Sequence, residues 1–156
     1  MKVLFAYDID GTLADVAWRH FLAGKEPSRK NWTKYQKWLK RVQNKKMLLK
    51  DKPIPGMKEL VLLTQQNSIY ITARKEYYRK VTRKWLKKNG FPELPLYMRP
   101  NKSKMSAGSL KEKILLNILK KEGYKDILIF DDDVKGDIAF VAKKRGWTFL
   151  KALSGS

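Results

Sequence analysis

Asp8-Ile9-Asp10-Gly11-Thr12-Leu13 sets two carboxylates two residues apart, directly behind the apolar run Val3-Leu4-Phe5-Ala6-Tyr7. Such a run, bounded by a turn, reads as a buried strand. Two carboxylates at a strand's end can share one metal-phosphate centre, one attacking phosphorus while the other moves protons. The Gly-Thr turn that follows lets the backbone come close to a phosphate. Three distant pieces carry matching chemistry: Thr72-Ala73-Arg74, Lys111 and Asp131-Asp132-Asp133. They supply a hydroxyl, two cations and a cluster of hard oxygen ligands. Together the four pieces describe a phosphoryl-transfer site.

The elements that must hold these residues alternate between strand and helix. Strands are expected over Ser68–Thr72, Leu94–Met98, Ile127–Phe130 and Trp147–Leu150. Helices are expected from Met57, through Tyr77, Val81 and Trp85 to a stop at Asn89-Gly90, through Ile114, Leu115, Ile118 and Leu119, and before Gly146. This alternation implies an α/β fold, a Rossmann-like parallel sheet with helices on both faces. Ligands of such sheets bind beyond the carboxyl ends of the strands, where Asp8, Thr72 and Asp131 fall. Residues 15–52 do not read as a crossover helix. Trp32, Tyr35, Leu39 and Val42 recur there at helical spacing behind a capping Asn31, so a small helical cap insertion is expected within one domain of 1–156.

Composition narrows the class. The chain has 156 residues, 43% of them hydrophobic, enough for one domain with a real core. It has no cysteine, which excludes disulfides and thiolate metal sites and makes a reducing cytoplasm the simplest setting. No apolar stretch approaches the ~20 residues that span a bilayer, and Met1-Lys2 before the first strand is too short for a signal peptide. The 35 Lys and Arg outweigh 15 Asp and Glu, a formal charge of +20. Residues 25–52 hold 11 basic residues and only two acids, Glu26 and Asp51; residues 74–113 hold 13 and three. Such a surface is either merely solvated or concentrates a polyanion around an acidic centre.

The four motifs resemble those of the haloacid dehalogenase (HAD) phosphatase superfamily. Further matches lie closer to one branch, the 3′-phosphatase domain of phage-type polynucleotide kinase-phosphatases. They are Arg19, Tyr77 to Trp85, Leu96-Tyr97-Met98-Arg99-Pro100, Lys111-Glu112-Lys113-Ile114 and Ala152-Leu153-Ser154-Gly155. The loop Asn101–Gly108 departs from that branch, lacking its acid and arginine, and no Gly-rich loop with Lys-Ser or Lys-Thr marks a kinase half.

The resemblance implies an aspartyl-phosphate mechanism with Asp8 as nucleophile and Asp10 as general acid and base. It implies Mg²⁺ held by Asp8, the backbone carbonyl of Asp10, Asp131 and Asp132, although an Asp-x-x-x-Asp spacing would favour Asp133 with Asp137. Gly11, Thr12, Thr72, Ala73, Arg74 and Arg19 would contact phosphate. Lys111 would offset charge on Asp8 and on the transferring group. Independently, Ser109-Leu110-Lys111-Glu112 reads as a capping box, which places Lys111 in a first helical turn, where a cation opposes the helix dipole. His20, the single histidine, reads as packing or surface, and Trp18, Trp32, Tyr35 and Trp38 as core before base-stacking. The expected substrate is a nucleic-acid end bearing a 3′-phosphate. A nucleotidase acting on free monophosphates is the alternative, and a non-catalytic nucleic-acid binder the second.

Overall fold

The computed structural model describes residues 2–153, which leaves Ser154 and Gly155 of the C-terminal match outside the described residues. Five parallel strands form the main sheet: β1 (Val3–Tyr7), β4 (Ser68–Lys75), β5 (Leu96–Arg99), β6 (Asp126–Asp131) and β7 (Thr148–Lys151). Their order is β5-β4-β1-β6-β7. A separate antiparallel pair, β2 (Ala14–Asp15) and β3 (Lys52–Pro53), brackets three helices: α1 (Ala17–Ala23), α2 (Trp32–Val42) and α3 (Lys45–Lys50). Helices α4 (Met57–Thr64), α5 (Arg79–Lys88), α6 (Ala107–Glu122) and α7 (Asp137–Arg145) cover the main sheet.

The period-2 alternation of a strand divides the core in two. Leu4 and Ala6 of β1, with Ile69 and Ile71 of β4, join Leu115, Ile118 and Ile138 from α6 and α7. Tyr7 and Tyr70 point the other way, against Val61, Trp85 and Leu86 from α4 and α5. Both faces are buried, as the near-continuous apolar strands require. The helical insert has a small core of its own in Tyr35, Trp38 and Val42, and α2 begins at the Asn31 cap read from the sequence. Trp32 keeps about a third of its surface exposed, and His20 stacks edge-on against Trp38.

Several boundaries differ from the sequence reading. β4 runs on to Lys75, so no helix N-terminus follows Thr72 directly; α5 starts only at Arg79, after a short 3-10 turn that leaves Tyr77 exposed. Extra pairing accounts for the added length, since Lys75 bridges to Arg99 beyond an irregularity in the register. α6 is capped by Ser106, whose Oγ accepts the Ser109 N–H, and not by Ser109. Ser109 Oγ instead accepts from Ser106 Oγ at 3.0 Å, and Lys111 moves to the second turn. There it is buried, so the helix-dipole argument no longer governs it.

Candidate active site

Strand register delivers the acids. Tyr7 pairs with Phe130 on one side and Tyr70 on the other, so Asp8 and Asp131, one residue on, and Thr72, two residues past Tyr70, reach the same carboxyl edge. The Asp8 N–H donates to Phe130 O at 2.9 Å, which continues the pairing one residue past the strand. Lys111 reaches this edge from α6: its Nζ donates to Asp8 Oδ1 at 2.9 Å and to Asp131 Oδ2 at 2.5 Å. All three side chains are buried.

Asp8, Asp131 and Asp132 present oxygens that lie within 4.8 Å of one another. Burial, and then repulsion from Asp131, pushes the Asp8 carboxyl well above the usual range, with Lys111 only partly offsetting it. Burial and Asp131 raise Asp132 to about 7. Burial would discharge Lys111, but Asp8 and Asp131 more than compensate and hold its ammonium charged. Three carboxyl groups facing one ammonium supply hard oxygen donors that cannot all ionise without a further cation. That donor set fits a divalent cation of the Mg²⁺ kind.

The neighbouring acids do other work. Asp133 sits at φ 46°, a left-handed conformation, and its carboxylate accepts the Ile138 and Ala139 N–H groups at 2.8 and 3.1 Å. It therefore caps α7. Asp137 Oδ2 accepts the Gly108 N–H at 2.7 Å and ties α7 to the start of α6. These bonds occupy Asp133 and Asp137, and the acids whose oxygens gather at one point are Asp8, Asp131 and Asp132.

Asp10 is held differently. Arg74 donates from Nε and Nη2 to its carboxylate, and Arg19 adds Nη2 to Asp10 Oδ1 at 3.0 Å. Burial alone would raise its pKa, but the two guanidinium groups outweigh burial and hold Asp10 well below the usual carboxylate range. The remaining donors are also engaged: Arg74 Nη1 on Thr82 Oγ1, Arg19 Nη1 on Val42 O, and Arg19 Nε and Nη2 on Asp51. Arg19 and Arg74, expected on phosphate, both line the cavity and there clamp the Asp10 carboxylate. Neither Gly11 nor Thr12 lines the cavity. Thr12 is fully buried, and its hydroxyl has no hydrogen-bond partner among the described residues. Their turn has another task. Gly11 takes φ 79°, and a Cβ there would strike the Asp132 carboxylate, so glycine lets Asp132 lean over the loop.

Thr72 and Ala73 do line the cavity, which has a volume of about 320 Å³, together with Asp8, Asp10 and Lys111. Thr72 Oγ1 accepts the Arg74 N–H at 3.1 Å, which leaves its own proton free to donate. The backbone carbonyl of Ala73 accepts Arg99 Nε at 3.0 Å, so the matched Met98-Arg99 pair braces the Thr72 loop. The sequence reading missed Asp51 as a site-shaping residue. It is buried, and besides Arg19 it receives Trp18 Nε1 at 3.0 Å. The signal was present: a rare acid in a basic segment has many candidate partners.

Comparisons with known proteins agree with this geometry. The model of the HAD superfamily, subfamily IIIB (acid phosphatase) matches residues 2–152, and the chain belongs to that family. It is therefore a phosphatase by family. Among solved structures, a chain of the Pnkp1/Rnl/Hen1 RNA repair complex is 15% identical and superposes with a TM-score of 0.67, over 100% of this chain and 44% of that one. The class C acid phosphatase from Bacillus anthracis is 18% identical with a TM-score of 0.59, over 96% of this chain and 65% of that one. A HAD hydrolase, family IA, variant 3, from Entamoeba histolytica HM-1:IMSS is 16% identical with a TM-score of 0.61, over 96% and 82%. This chain thus spans less than half the length of the repair-complex chain. No curated protein sequence matches it. Among the described residues, no helix is long and apolar enough to cross a membrane.

Proposed function

We propose that this protein is a Mg²⁺-dependent phosphatase that removes a terminal phosphate, by preference the 3′-phosphate of DNA or RNA, through an aspartyl-phosphate on Asp8. The carrying observation is Lys111 bridging Asp8 and Asp131 beside Asp132 at one sheet edge. In the first step an Asp8 carboxylate oxygen bonds to phosphorus as the ester P–O bond breaks. In the second, water attacks the same phosphorus, and Asp8 is released with inorganic phosphate. Lys111 offsets negative charge on Asp8 and the phosphoryl oxygens, and Thr72 Oγ donates to one of them. Asp8, Asp131, Asp132 and the Asp10 carbonyl would hold the cation, which when bound neutralises phosphate charge and orients it for in-line attack.

Asp10 is the general acid and base of this reading. The arginine clamp keeps it ionised at rest, ready to accept a proton from the attacking water. In the first step Asp10 passes to the leaving oxygen a proton taken up from solvent against the pull of Arg74 and Arg19, and in the second it takes one from the attacking water and returns it to solvent. The insert 15–52 serves as a small cap that leaves the cavity open to a polymer end.

The nucleic-acid preference rests on the +20 charge and on the likeness to a chain of an RNA repair complex. A nucleotidase is the second reading, favoured by a cavity of only about 320 Å³, small enough for a single nucleotide. Phosphate release from a 3′-phosphorylated oligonucleotide, measured beside free 3′- and 5′-monophosphates, tests the choice. A higher kcat/KM for the oligonucleotide at low salt supports the polymer reading. Equal values with flat salt dependence support the nucleotidase.

A further inference from the structure

Beside the site lies a second and larger groove, about 740 Å³, between α2, α3 and the end of β4. Eleven residues line it, four of them lysines (Lys40, Lys45, Lys46 and Lys75), and none is acidic. Tyr77 stands in it 61% exposed, with its ring edge-on to Tyr78 and the Lys45 ammonium 4.3 Å from the ring centre. Its backbone is fixed, since the Tyr77 N–H donates to Asn101 Oδ1 at 2.8 Å. An exposed aromatic ring on a fixed backbone, framed by ammonium groups, offers a face for a base and charges for the phosphates on either side.

The groove is not isolated. Leu39 and Gln43 line both it and the catalytic cavity. They also line a small cleft of about 100 Å³ that joins the two. That cleft carries Arg29, with its guanidinium 5.1 Å from the Tyr35 ring centre, and Lys104, with its ammonium 5.0 Å from the Trp32 ring centre. A chain that leaves the catalytic cavity through the cleft would meet cations at each stage and an open aromatic ring at the end.

We propose that this groove holds the single-stranded nucleic acid leading up to the terminal phosphate, with one base on Tyr77 and the backbone along Lys45, Lys46 and Lys75. The assignment rests on the polymer-end reading of the site and adds the location of the strand. Charge complementarity selects the occupant: a polyanion with flat π-faces satisfies four lysines and a tyrosine together, whereas an apolar or basic partner would leave the lysines uncompensated.

The experiment compares the wild type, Tyr77→Ala, the triple variant Lys45→Ala, Lys46→Ala, Lys75→Ala, and a control pair Lys120→Ala, Lys121→Ala. The control lysines are exposed at the C-terminal end of α6, which runs toward the opposite sheet edge. Substrates are p-nitrophenyl phosphate and 3′-phosphorylated oligonucleotides of one to six residues. The expected result is a kcat/KM that rises with length in the wild type and the control. Tyr77→Ala and the triple variant should each lose about tenfold on the hexamer while p-nitrophenyl phosphate turnover stays the same. Hexamer rates unchanged in both groove variants, or reduced equally in the control, would overturn the groove while leaving the polymer-end reading standing. If the wild type hydrolyses p-nitrophenyl phosphate but no oligonucleotide, the polymer-end reading fails. Fluorescence anisotropy with a labelled hexanucleotide ending in a 3′-hydroxyl then decides the groove alone: binding lost in the variants supports it, and no binding by the wild type overturns it.

Discussion

Arg19 and Asp51, at opposite ends of the helical insert, meet in a side-on pair, with Nε 2.8 Å from Oδ1 and Nη2 2.9 Å from Oδ2. The same guanidinium holds the end of α2 through Val42 O and reaches Asp10 across the cavity wall. The backbone carbonyl of Asp51 also takes Trp85 Nε1 at 2.8 Å, which fastens the neck of the insert to α5. One ion pair therefore fixes both the insert and a site carboxylate.

Asp51→Ala leaves Arg19 buried with only part of its partners. Breaking a buried pair in this way costs about 3–5 kcal/mol. The expected outcome is a urea midpoint lowered to match, together with a fall in kcat, because Arg19 no longer sets Asp10. A midpoint within experimental error of the wild type would show that the pair does not hold the neck.

Asp8→Asn keeps the shape of the side chain but cannot form the acyl phosphate. Turnover should fall by more than about a thousandfold, with circular dichroism unchanged. Activity within tenfold of the wild type would exclude the covalent route.

Asp10→Asn should slow turnover by about 10²–10⁴-fold, the usual worth of a positioned acid-base group. With an activated leaving group such as p-nitrophenolate, which needs no proton, the first step should survive. A hydroxylamine-labile phosphoenzyme should then accumulate in rapid-quench samples. Its absence, with both steps equally slow, would place Asp10 in positioning alone.

Much of this arrangement could be read from the sequence. The apolar runs fixed the strands because a sheet covered on both faces leaves no room for polar positions at its centre, and Asp8, Thr72 and Asp131 fell on one edge as a consequence. The Asn31 and Gly146 helix ends followed from local capping chemistry. Asp51 stands out in the sequence only as a rare acid, and neither its pairing with Arg19 nor the Arg74 arm of the clamp on Asp10 shows, because partners 32 and 64 positions apart leave no local periodicity. The start of α6 was also misplaced: Ser106 and Ser109 are equally good caps, and only the packing of Gly108 against Asp137 decides between them. Of the three consecutive acids, the left-handed turn at Asp133 distinguishes the cap from the two whose carboxyl oxygens gather beside Asp8.

Metal binding should depend on pH in a defined direction. The folded chain holds protons on Asp8 and Asp132 that the unfolded chain releases near pH 4, so metal-free stability should fall as pH rises from about 4 towards 7. Mg²⁺ needs both carboxylates ionised, so its affinity should rise through about pH 7, with protons released on binding. Calorimetry in buffers of different ionisation enthalpy would count those protons. Asp132→Asn should flatten the dependence on pH and weaken Mg²⁺ binding. A Mg²⁺ affinity that stays level from pH 5 to 8 would contradict the Asp8-Asp131-Asp132 site.

The strands that bear Asp8, Thr72 and Asp131 are three immediate neighbours at the middle of the sheet, and the two outer strands carry none of these residues. Amide hydrogens of β1 therefore open to solvent only when the whole sheet comes apart, whereas those of β5 and β7 can exchange by fraying at the rim. The active arrangement is tied to the last part of the molecule to let go. Warming the protein should leave its chemistry intact until the fold itself is lost.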